Sequence, residues 1–295
     1  MDGALVACGL AAVHEFNQFR CVGARCPFSV DRVVGVGSWG HVALVCVEAL
    51  TETSRERASE LAQQWKVPLC SSHSRTLTGV KVVVSDLTVG LAFADAKRGK
   101  PYYVDFLTST WRARFASGLP KSYIFRRALG VQDHPLRVID ATAGFGQDSI
   151  MALCMGCEVI AIENSPVVVT VLRNGVMRAM REDIGVRGKF ENLSVVEADA
   201  NVFLEQIDAA DVVYLDPMFD KPKKSAKSPK EMQLLQELLP EPPTIEEEEL
   251  LFAKAFANAK KRVVVKRPLK GRALAKGPTH SFKGQSIRYD IYVKS

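Results

Sequence analysis

The segment Leu136-Arg-Val-Ile-Asp140-Ala-Thr-Ala-Gly144-Phe-Gly146-Gln-Asp148 decides the fold of this chain. Its first five residues have the apolar character of a buried strand, and the residues from Asp148 to Met155 favour a helix. The two glycines between strand and helix predict a tight turn, where the backbone can approach a ligand closely. Ligands of open α/β sheets bind at the carboxyl ends of the strands, so this turn is the first candidate binding site.

From Gly118 onward, strand and helix patterns alternate along the chain. Short apolar runs predict strands, and longer runs with apolar residues at helical spacing predict helices. The predicted strands are Leu136–Asp140, Glu158–Ile162, Leu193–Glu197, Val212–Leu215, Val263–Lys266 and Ile287–Val293, and the predicted helices are Asp148–Met155, Pro166–Arg181 and Lys230–Leu239. Thr244-Ile-Glu-Glu247 has the form of a capping box and predicts a further helix start. Such alternation predicts a largely parallel sheet with helices on both faces, an α/β Rossmann-like fold.

A smaller α/β region precedes this sheet. The predicted elements are a strand at His41–Leu50, a helix at Thr53–Trp65, and strands at Val80–Val84, Val89–Phe93 and Tyr102–Phe106. Residues 1–38 show no sustained hydrophobic period, and we attach no function to them. We therefore divide the chain into a poorly defined N-terminal extension (1–38), a small N-terminal α/β region (39–95) and a Rossmann-like domain (96–295).

The composition excludes several classes of protein. The chain has 295 residues, of which 47% are hydrophobic, and no apolar run reaches the roughly 18 residues of a membrane span. The apolar run at 4–13 follows Asp2, whereas a signal peptide has a positive charge there. Seven cysteines without regular spacing indicate a reducing compartment, and Cys154-Met-Gly-Cys157 has no second ligand pair for zinc. We therefore expect a cytoplasmic protein without a membrane span or a metal, in which the cysteines are packing residues.

Acidic residues stand at the ends of the next predicted strands. Glu163 comes about 20 residues after the glycine turn, where a carboxylate can accept hydrogen bonds from both ribose hydroxyls of a nucleotide-like cofactor. Asp199 follows the strand after that, and it could receive an adenine amino group together with the backbone of Ala200. Each acid also has a plain structural interpretation, as a helix N-terminal residue or an N-cap.

The most specific motif is Val213-Tyr-Leu-Asp216-Pro217-Met218-Phe219. It resembles the Asp-Pro-Pro-Tyr signature of amino-directed nucleic-acid methyltransferases, with Met218 at the second proline and Phe219 at the tyrosine. An exocyclic base amine is a poor nucleophile because its lone pair is delocalised into the ring. The Asp216 carboxylate and the Pro217 carbonyl can accept the amine hydrogens, so orientation and electrostatic placement would supply much of the rate. Phe219 could stack on the base, while the plain alternative is an Asp-Pro turn.

Several segments in one order resemble the small-subunit ribosomal RNA guanine-N2 methyltransferase J group. They are Asp140–Asp148, Leu215–Phe219, Lys224–Ala226, Lys261–Pro268, Arg288–Tyr292 and Tyr103–Phe106. The resemblance implies a class I S-adenosylmethionine-dependent methyltransferase that modifies N2 of a guanosine in small-subunit ribosomal RNA. The cofactor contacts that it implies by position are Gln147, Asp148, Glu163, Asn164, Asp199, Ala200 and Asp216, to which the strand end and glycine turn add Asp140, Gly144 and Gly146. Gln147 and Asn164 stand where many members have arginine.

Basic residues indicate a polyanionic partner, and the formal net charge is +6. They cluster at Lys221, Lys223, Lys224, Lys227 and Lys230, and again at Lys260, Lys261, Arg262, Lys266, Arg267, Lys270 and Arg272. We expect both segments near the carboxyl edge of the sheet, where the phosphate groups of an RNA substrate would lie. The plain alternative for any one lysine is a solvated surface.

Three other functions remain open from the sequence. The same Asp-Pro-aromatic device could methylate adenine N6 or a protein amide. A nicotinamide oxidoreductase could use the same turn, although Ser149 replaces the third glycine of the dinucleotide fingerprint. A non-catalytic RNA-binding protein would need only the basic segments and would leave the acids without a role.

Overall fold

The computed structural model describes residues 44–70, 78–132, 134–217, 229–239 and 243–294. These residues form a four-stranded sheet from the N-terminal part of the chain and a seven-stranded sheet from the remainder. Helices cover both sheets, and a single long helix contacts both of them.

The four-stranded sheet is built from the apolar runs of the N-terminal part. Its strands are β1 (Leu44–Ala49), β2 (Leu69–Cys70), β3 (Val80–Val84) and β4 (Val89–Phe93), in the order β2-β1-β3-β4. β1 is parallel to β2 and β3, while β3 and β4 form an antiparallel hairpin. Helix α1 (Arg55–Gln64) buries Ala58 and Ala62 and contacts the sheet. The helix and the strands predicted at Val80–Val84 and Val89–Phe93 are confirmed.

Two cysteines of this sheet differ from the prediction. Cys46 of β1 and Cys70 of β2 are joined by a disulfide, with their Cα atoms 5.9 Å apart. The expectation that the cysteines are packing residues is therefore wrong for this pair, which crosses between neighbouring parallel strands. Cys154 and Cys157 are buried free thiols, and burial raises the pKa of Cys154 to about 12 and that of Cys157 to about 11. These two pack as small apolar residues.

The seven-stranded sheet has the topology of a Rossmann-like fold. Its strands are β5 (Arg137–Asp140), β6 (Glu158–Glu163), β7 (Leu193–Glu197), β8 (Ala210–Leu215), β9 (Ala259–Pro268), β10 (His280–Lys283) and β11 (Ile287–Val293), in the order β10-β11-β9-β8-β5-β6-β7. The strands β5 to β9 are parallel, and β11 is antiparallel to both β9 and β10. The chain moves from β5 outward to β7 and then returns to β8 on the other side of β5. This reversal is a topological switch point, where open α/β sheets bind ligands, and the predicted fold class is confirmed.

Helices connect these strands. They are α2 (Ser109–Ser117), α3 (Ile124–Leu129), α4 (Gln147–Cys154), α5 (Pro166–Glu182), α6 (Ile184–Phe190), α7 (Ala200–Phe203), α8 (Lys230–Leu238) and α9 (Ile245–Asn258). The predicted capping box of α9 is present, since Thr244 Oγ1 accepts the Glu247 N–H (3.2 Å) and the Glu247 carboxylate accepts the Thr244 N–H (2.8 Å). None of the helices in the described ranges combines the length and the apolar character needed to cross a membrane.

Helix α5 joins the two sheets. Ser165 caps its first turn and Pro166 stands at its first position, where a missing N–H costs nothing. On one side, the Asn174 side chain accepts the N–H of Val89 at the start of β4 (3.0 Å) and donates to the carbonyl of Leu87 (3.1 Å). A Cβ at Gly175 would lie 2.5 Å from Val104, so the helix and the segment after β4 approach each other closely.

The predicted strand at Tyr102–Phe106 is wrong beyond its first residue. Tyr102 forms an isolated antiparallel bridge with Leu91, and no strand continues from it. The Val104 carbonyl instead accepts a hydrogen bond from the Arg178 guanidinium of α5, and the Asp105 carboxylate accepts the Leu107 N–H (2.8 Å). The apolar alternation of this segment therefore serves packing against a helix rather than pairing within a sheet.

Candidate functional site

The strands that carry the predicted acids end at one edge of the seven-stranded sheet. β5 ends at Asp140 and β6 at Glu163, while Asp216 directly follows β8 and Asp199 follows β7 by two residues. Because these strands are parallel and in register, their carboxyl ends lie side by side. Acids that are far apart in sequence therefore meet at the switch point.

The glycine turn between β5 and α4 is held in a shape that glycine favours. The Asp140 carboxylate accepts the Ser149 hydroxyl (2.6 Å), which ties the strand end to the helix. Gly144 has a φ of +52° and Gly146 a φ of +76°, in the left-handed region that L side chains rarely adopt. A Cβ at Gly146 would also lie 2.6 Å from the buried Leu172 side chain. This packing fixes the conformation of the turn at the N-terminus of α4.

Glu163 lies half-buried beside this turn. Its Oε2 accepts the Gly144 N–H (3.0 Å), and its Oε1 accepts the Ser165 N–H (2.8 Å). Burial raises the pKa of Glu163, although these N–H groups oppose the shift. The Asn164 N–H opposes the shift as well, so three backbone N–H groups face a carboxylate that offers about four lone pairs. The neighbouring Asn164 is exposed at the same edge.

Asp199 and Ala200 begin the short helix α7. The Asp199 Oδ1 accepts the Asn201 N–H (2.7 Å), so the N-cap interpretation of this acid is correct. Both residues are partly exposed next to the end of β7. Their contact with a cofactor stays a prediction.

Asp216 belongs to a network that joins β8, β9, α4 and the glycine turn. Its backbone N–H donates to Thr142 Oγ1 (2.6 Å), and its Oδ2 lies 2.9 Å from the Lys266 Nζ. The same Nζ lies 2.8 Å from the Oδ2 of Asp148 on α4, which also accepts the Tyr214 hydroxyl (2.6 Å). The Asp-Pro motif is thus hydrogen-bonded to the glycine turn.

Burial and like charges shift the pKa of two acids in this cluster. Burial raises the pKa of Asp140 to about 7, although the Ser149 hydrogen bond opposes it. Burial also raises the pKa of Asp216 to about 6; Lys266 opposes this shift, and the charge of Asp148 adds to it. Perturbed acids at a switch point are typical of functional sites. Within the described part of the chain, no three His, Cys, Asp or Glu side chains are grouped so that they could hold a metal ion.

Three other predicted residues have different surroundings. Pro217 is buried directly after Asp216. Phe219 lies outside the described residues, as do Met218 and the lysines from 221 to 227. Gln147 is exposed and hydrogen-bonds the Tyr102 hydroxyl and Glu231 of α8, at 3.5 Å for the latter, so it links the turn to that helix.

Tyr214 and Thr142 lie within the quoted motifs but had no predicted role, and Lys266 was predicted only as part of a basic cluster. A signal existed for Lys266, because it is the first charged residue after the buried run Val263–Val265 and stands near the carboxyl tip of its strand. A lysine in that position needs a buried partner.

We expected the second basic segment to lie together near the carboxyl edge of the sheet, and this prediction is wrong. β9 runs parallel to β8, so Lys260 and Lys261 lie at its amino end, on the opposite side of the sheet from the acids. At the carboxyl end, side chains alternate between the two faces. The Lys266 side chain lies beside Asp148 and Asp216, whereas the buried Arg267 pairs with Glu248 (3.0 Å) of α9 on the other face.

Known proteins of similar sequence and structure cover most of this chain. The family model described as "Putative SAM-dependent methyltransferase" matches residues 60–294. The chain is 35% identical over 251 residues to the ribosomal RNA small subunit methyltransferase J of Coxiella burnetii (strain Dugway 5J108-111), covering 83% of this chain and 96% of the relative. It is also 35% identical over 256 residues to the Proteus mirabilis (strain HI4320) protein of the same name, covering 85% and 98%. A solved SAM-dependent methyltransferase from Neisseria gonorrhoeae is 26% identical with a TM-score of 0.61, covering 84% of this chain and 95% of that one.

Proposed function

The chain belongs to the ribosomal RNA small subunit methyltransferase J family, and from this we propose that it methylates the exocyclic N2 amine of a guanosine in small-subunit ribosomal RNA. S-adenosylmethionine is the methyl donor, and when bound it supplies an electrophilic methyl group. The RNA is the partner, and the cytoplasm is the compartment that we propose.

The residues around the glycine turn fit a ligand that carries a ribose. Glu163 is partly exposed at the sheet edge, and the Gly144 and Ser165 N–H groups fix its carboxylate there, which suits the hydroxyl donors of a ribose. Asp140 is 2% exposed and its two oxygens bind the Thr142 N–H and the Ser149 hydroxyl, so its role is to hold the turn. The cofactor contacts that we propose are Gly144, Gly146, Gln147, Asp148, Glu163, Asn164, Asp199, Ala200 and Asp216.

One observation carries the proposal: the Asp216 N–H donates to Thr142 Oγ1 at 2.6 Å. This bond fixes the first residue of the Asp-Pro motif against the turn that would hold the cofactor. A base amine bound at Asp216 would therefore lie at the same sheet edge as the methyl donor. Holding two reactants in this way accounts for much of the rate in such reactions.

The Asp216 carboxylate is suited to receive an amine. Its Oδ2 is occupied by Lys266, and its Oδ1 can accept one amine hydrogen while the Pro217 carbonyl accepts the other. The amine must also lose a proton when it gains a methyl group. A carboxylate whose pKa burial has raised to about 6 is a better acceptor for that proton than an exposed aspartate.

The test compares Asp216→Asn with Asp211→Asn. Both aspartates belong to the β8 region, and each lies 2.9 Å from a lysine of β9, Lys266 for Asp216 and Lys261 for Asp211. We expect Asp216→Asn to lower methyl transfer by about a hundredfold or more, whereas Asp211→Asn keeps it. The measurement is transfer of labelled methyl from S-adenosylmethionine to purified small-subunit ribosomal RNA.

Digestion of the product to nucleosides, followed by mass spectrometry, identifies the acceptor atom. N2-methylguanosine supports the proposal, N6-methyladenosine would replace the guanine assignment, and labelled methyl recovered in protein instead of RNA would indicate a protein amide. Equal activity in Asp216→Asn and wild type would refute the role of Asp216. Calorimetry with S-adenosylmethionine checks cofactor binding independently, and a protein that binds RNA but neither binds the cofactor nor transfers methyl would contradict an enzymatic function.

A further inference from the structure

Lys266 occupies a position that the proposed reaction does not by itself require. Its side chain is 23% exposed, and its single ammonium group lies within 2.9 Å of Asp216 Oδ2 and 2.8 Å of Asp148 Oδ2. These acids come from different elements, the end of β8 and the first turn of α4. Tyr214 donates to the same Asp148 oxygen (2.6 Å), so one lysine and one tyrosine fix that acid.

The charges around Lys266 are mostly negative. The titratable groups that face the cluster are Asp140 from β5, Asp148 from α4, Tyr214 and Asp216 from β8, Arg267 from β9, Tyr289 from β11 and Tyr123 from α3. The Arg267 side chain is turned to Glu248 on the opposite face. Burial lowers the pKa of Lys266, but Asp148 and Asp216 outweigh burial and raise it above its usual range. Lys266 is therefore an ammonium ion throughout the neutral range.

The state of Asp216 depends on this ammonium ion. Burial and the nearby Asp148 raise the pKa of Asp216, and the charge and hydrogen bond of Lys266 lower it. Without Lys266, Asp216 would hold a proton near neutral pH and would present a donor where an acceptor is needed. The same salt bridge uses Oδ2 and leaves Oδ1 for another partner.

We propose that Lys266 is a positioning residue for methyl transfer, which keeps the Asp216 carboxylate ionised and in one orientation so that Oδ1 can receive the acceptor amine. This role rests on the proposed function of Asp216. It requires no contact between Lys266 and the base. It also explains why a lysine stands at the tip of an otherwise apolar run in β9.

Two other lysines of the protein form ion pairs with carboxylates and can be compared with Lys266. Lys81 of β3 lies 2.6 Å from the buried Glu48 of β1, and Lys261 lies 2.9 Å from Asp211. Among the residues that the structure describes, each pairs with one carboxylate, whereas Lys266 pairs with two. Lys261→Met, on the same strand, is therefore the matched control for Lys266→Met, and Lys81→Met controls for loss of a similarly buried ammonium group.

The first experiment measures the ionisation of the Asp216 carboxyl group in the ligand-free protein. Carbon-13 NMR of the aspartate carboxyl groups, with Asp216 assigned from Asp216→Asn, gives the titration midpoint of Asp216. We expect Lys266→Met to raise this midpoint by about 1 to 3 pH units, Lys266→Arg to keep it near wild type, and Lys261→Met and Lys81→Met to leave it unchanged. An unchanged midpoint in Lys266→Met would overturn the proposal.

The second experiment measures turnover against pH at saturating cofactor and RNA. The acid limb of the profile should move to higher pH in Lys266→Met, with about a tenfold loss near neutral pH that is partly regained in alkali. If Lys266→Met does not fold, Asp148→Asn gives an independent test, because removal of the second carboxylate should move the midpoint and the acid limb to lower pH.

The outcomes separate this inference from the proposed function. Wild-type methyl transfer with an unmoved acid limb in Lys266→Met would refute the role of Lys266 alone. If the wild-type protein transfers no methyl group to RNA, the proposed function fails and the role of Lys266 in it fails too, whatever the NMR midpoints are. A moved midpoint, a moved limb and rescue by Lys266→Arg together support it.

Discussion

Strands β8 and β9 carry an aspartate–lysine pair at each end. At the amino end Lys261 lies 2.9 Å from Asp211, and at the carboxyl end Lys266 lies 2.9 Å from Asp216, five residues further along both strands. The chemistry of the two pairs is the same. Their surroundings differ, because the Lys261 side chain is 57% exposed and the Lys266 side chain 23%.

The two aspartates respond to these surroundings in opposite directions. At the amino end, burial would raise the pKa of Asp211, but the Arg137 backbone N–H and Lys261 outweigh it and the pKa is lowered. At the carboxyl end, burial and Asp148 outweigh Lys266, and the pKa of Asp216 rises to about 6. An ion pair alone therefore does not make a site. The two aspartate side chains are similarly exposed, 23% for Asp211 and 27% for Asp216, so the more buried lysine and the second carboxylate distinguish the carboxyl-end pair.

Asp140→Asn should give the largest effect, because it removes the most deeply buried acid of the carboxyl end. Asp140 is 2% exposed and burial raises its pKa to about 7, so ionising it costs on the order of 4 kcal/mol more in the folded protein than in the unfolded chain. The folded state binds this proton more tightly between about pH 4 and about pH 7, so wild-type stability falls as pH rises through that range. The variant, which cannot ionise there, should lose much of this fall.

Urea unfolding of both proteins at several pH values measures the difference. Asparagine keeps the shape of the side chain, and its amide group can donate to the Ser149 hydroxyl. Asp216 remains in the variant and should leave a smaller slope of the same sign, since its pKa is also raised. Identical pH dependence in wild type and Asp140→Asn would show that burial does not raise the pKa of Asp140. It would then contradict the difference that we draw between the two ends of the strands.

Much of the fold could be predicted because the central strands are continuous apolar runs. β5, β6, β7 and β8 are buried along most of their length, so short hydrophobic runs marked them within one or two residues. β10 was missed because His280-Ser-Phe-Lys283 contains a single apolar residue and lies mostly exposed at the sheet edge. The disulfide was missed because spacing along the chain does not show that β1 and β2 are neighbours.

The site was predictable as a set of strand ends, but not as a network. Glu163 and Asp216 follow from their positions after apolar strands. The separation of Lys266 from Arg267 does not, because it depends on which face of β9 is turned to α4 and which to α9. One residue of register moves a side chain to the other face. The basic segment therefore looked like one patch in the sequence and is divided among three places in the structure.

Asp211→Ala should have an intermediate effect, limited to stability. The Asp211 carboxylate accepts the Arg137 N–H (2.9 Å) and pairs with Lys261, and its loss leaves that N–H without this acceptor. We expect the free energy of unfolding near neutral pH to fall by about 1 to 3 kcal/mol. Since the folded pKa of Asp211 is lowered, its contribution is present above about pH 4 and is lost as pH falls through that lowered pKa.

The sign of this pH dependence is opposite to that of Asp140, which makes the two ends separable in one set of unfolding curves. The gap between wild type and Asp211→Ala should close toward acid pH, and Asp211→Asn, which keeps an acceptor for the backbone N–H, should lose less. Methyl transfer should be unchanged in both variants. A gap that widens in acid would contradict the assignment of Asp211 as a stabilising carboxylate.

Lys261→Met should have the smallest effect, and it is the most direct test of the comparison. The Lys261 side chain is more than half exposed, so the ion pair with Asp211 is screened by solvent and should contribute about 1 kcal/mol or less. Added salt should shrink even that difference in urea unfolding, because mobile ions screen exposed charges. The pH profile of methyl transfer should match wild type. If Lys261→Met instead moved the acid limb as far as Lys266→Met, the two ends of β9 would act alike, and burial could no longer be the property that distinguishes the carboxyl end.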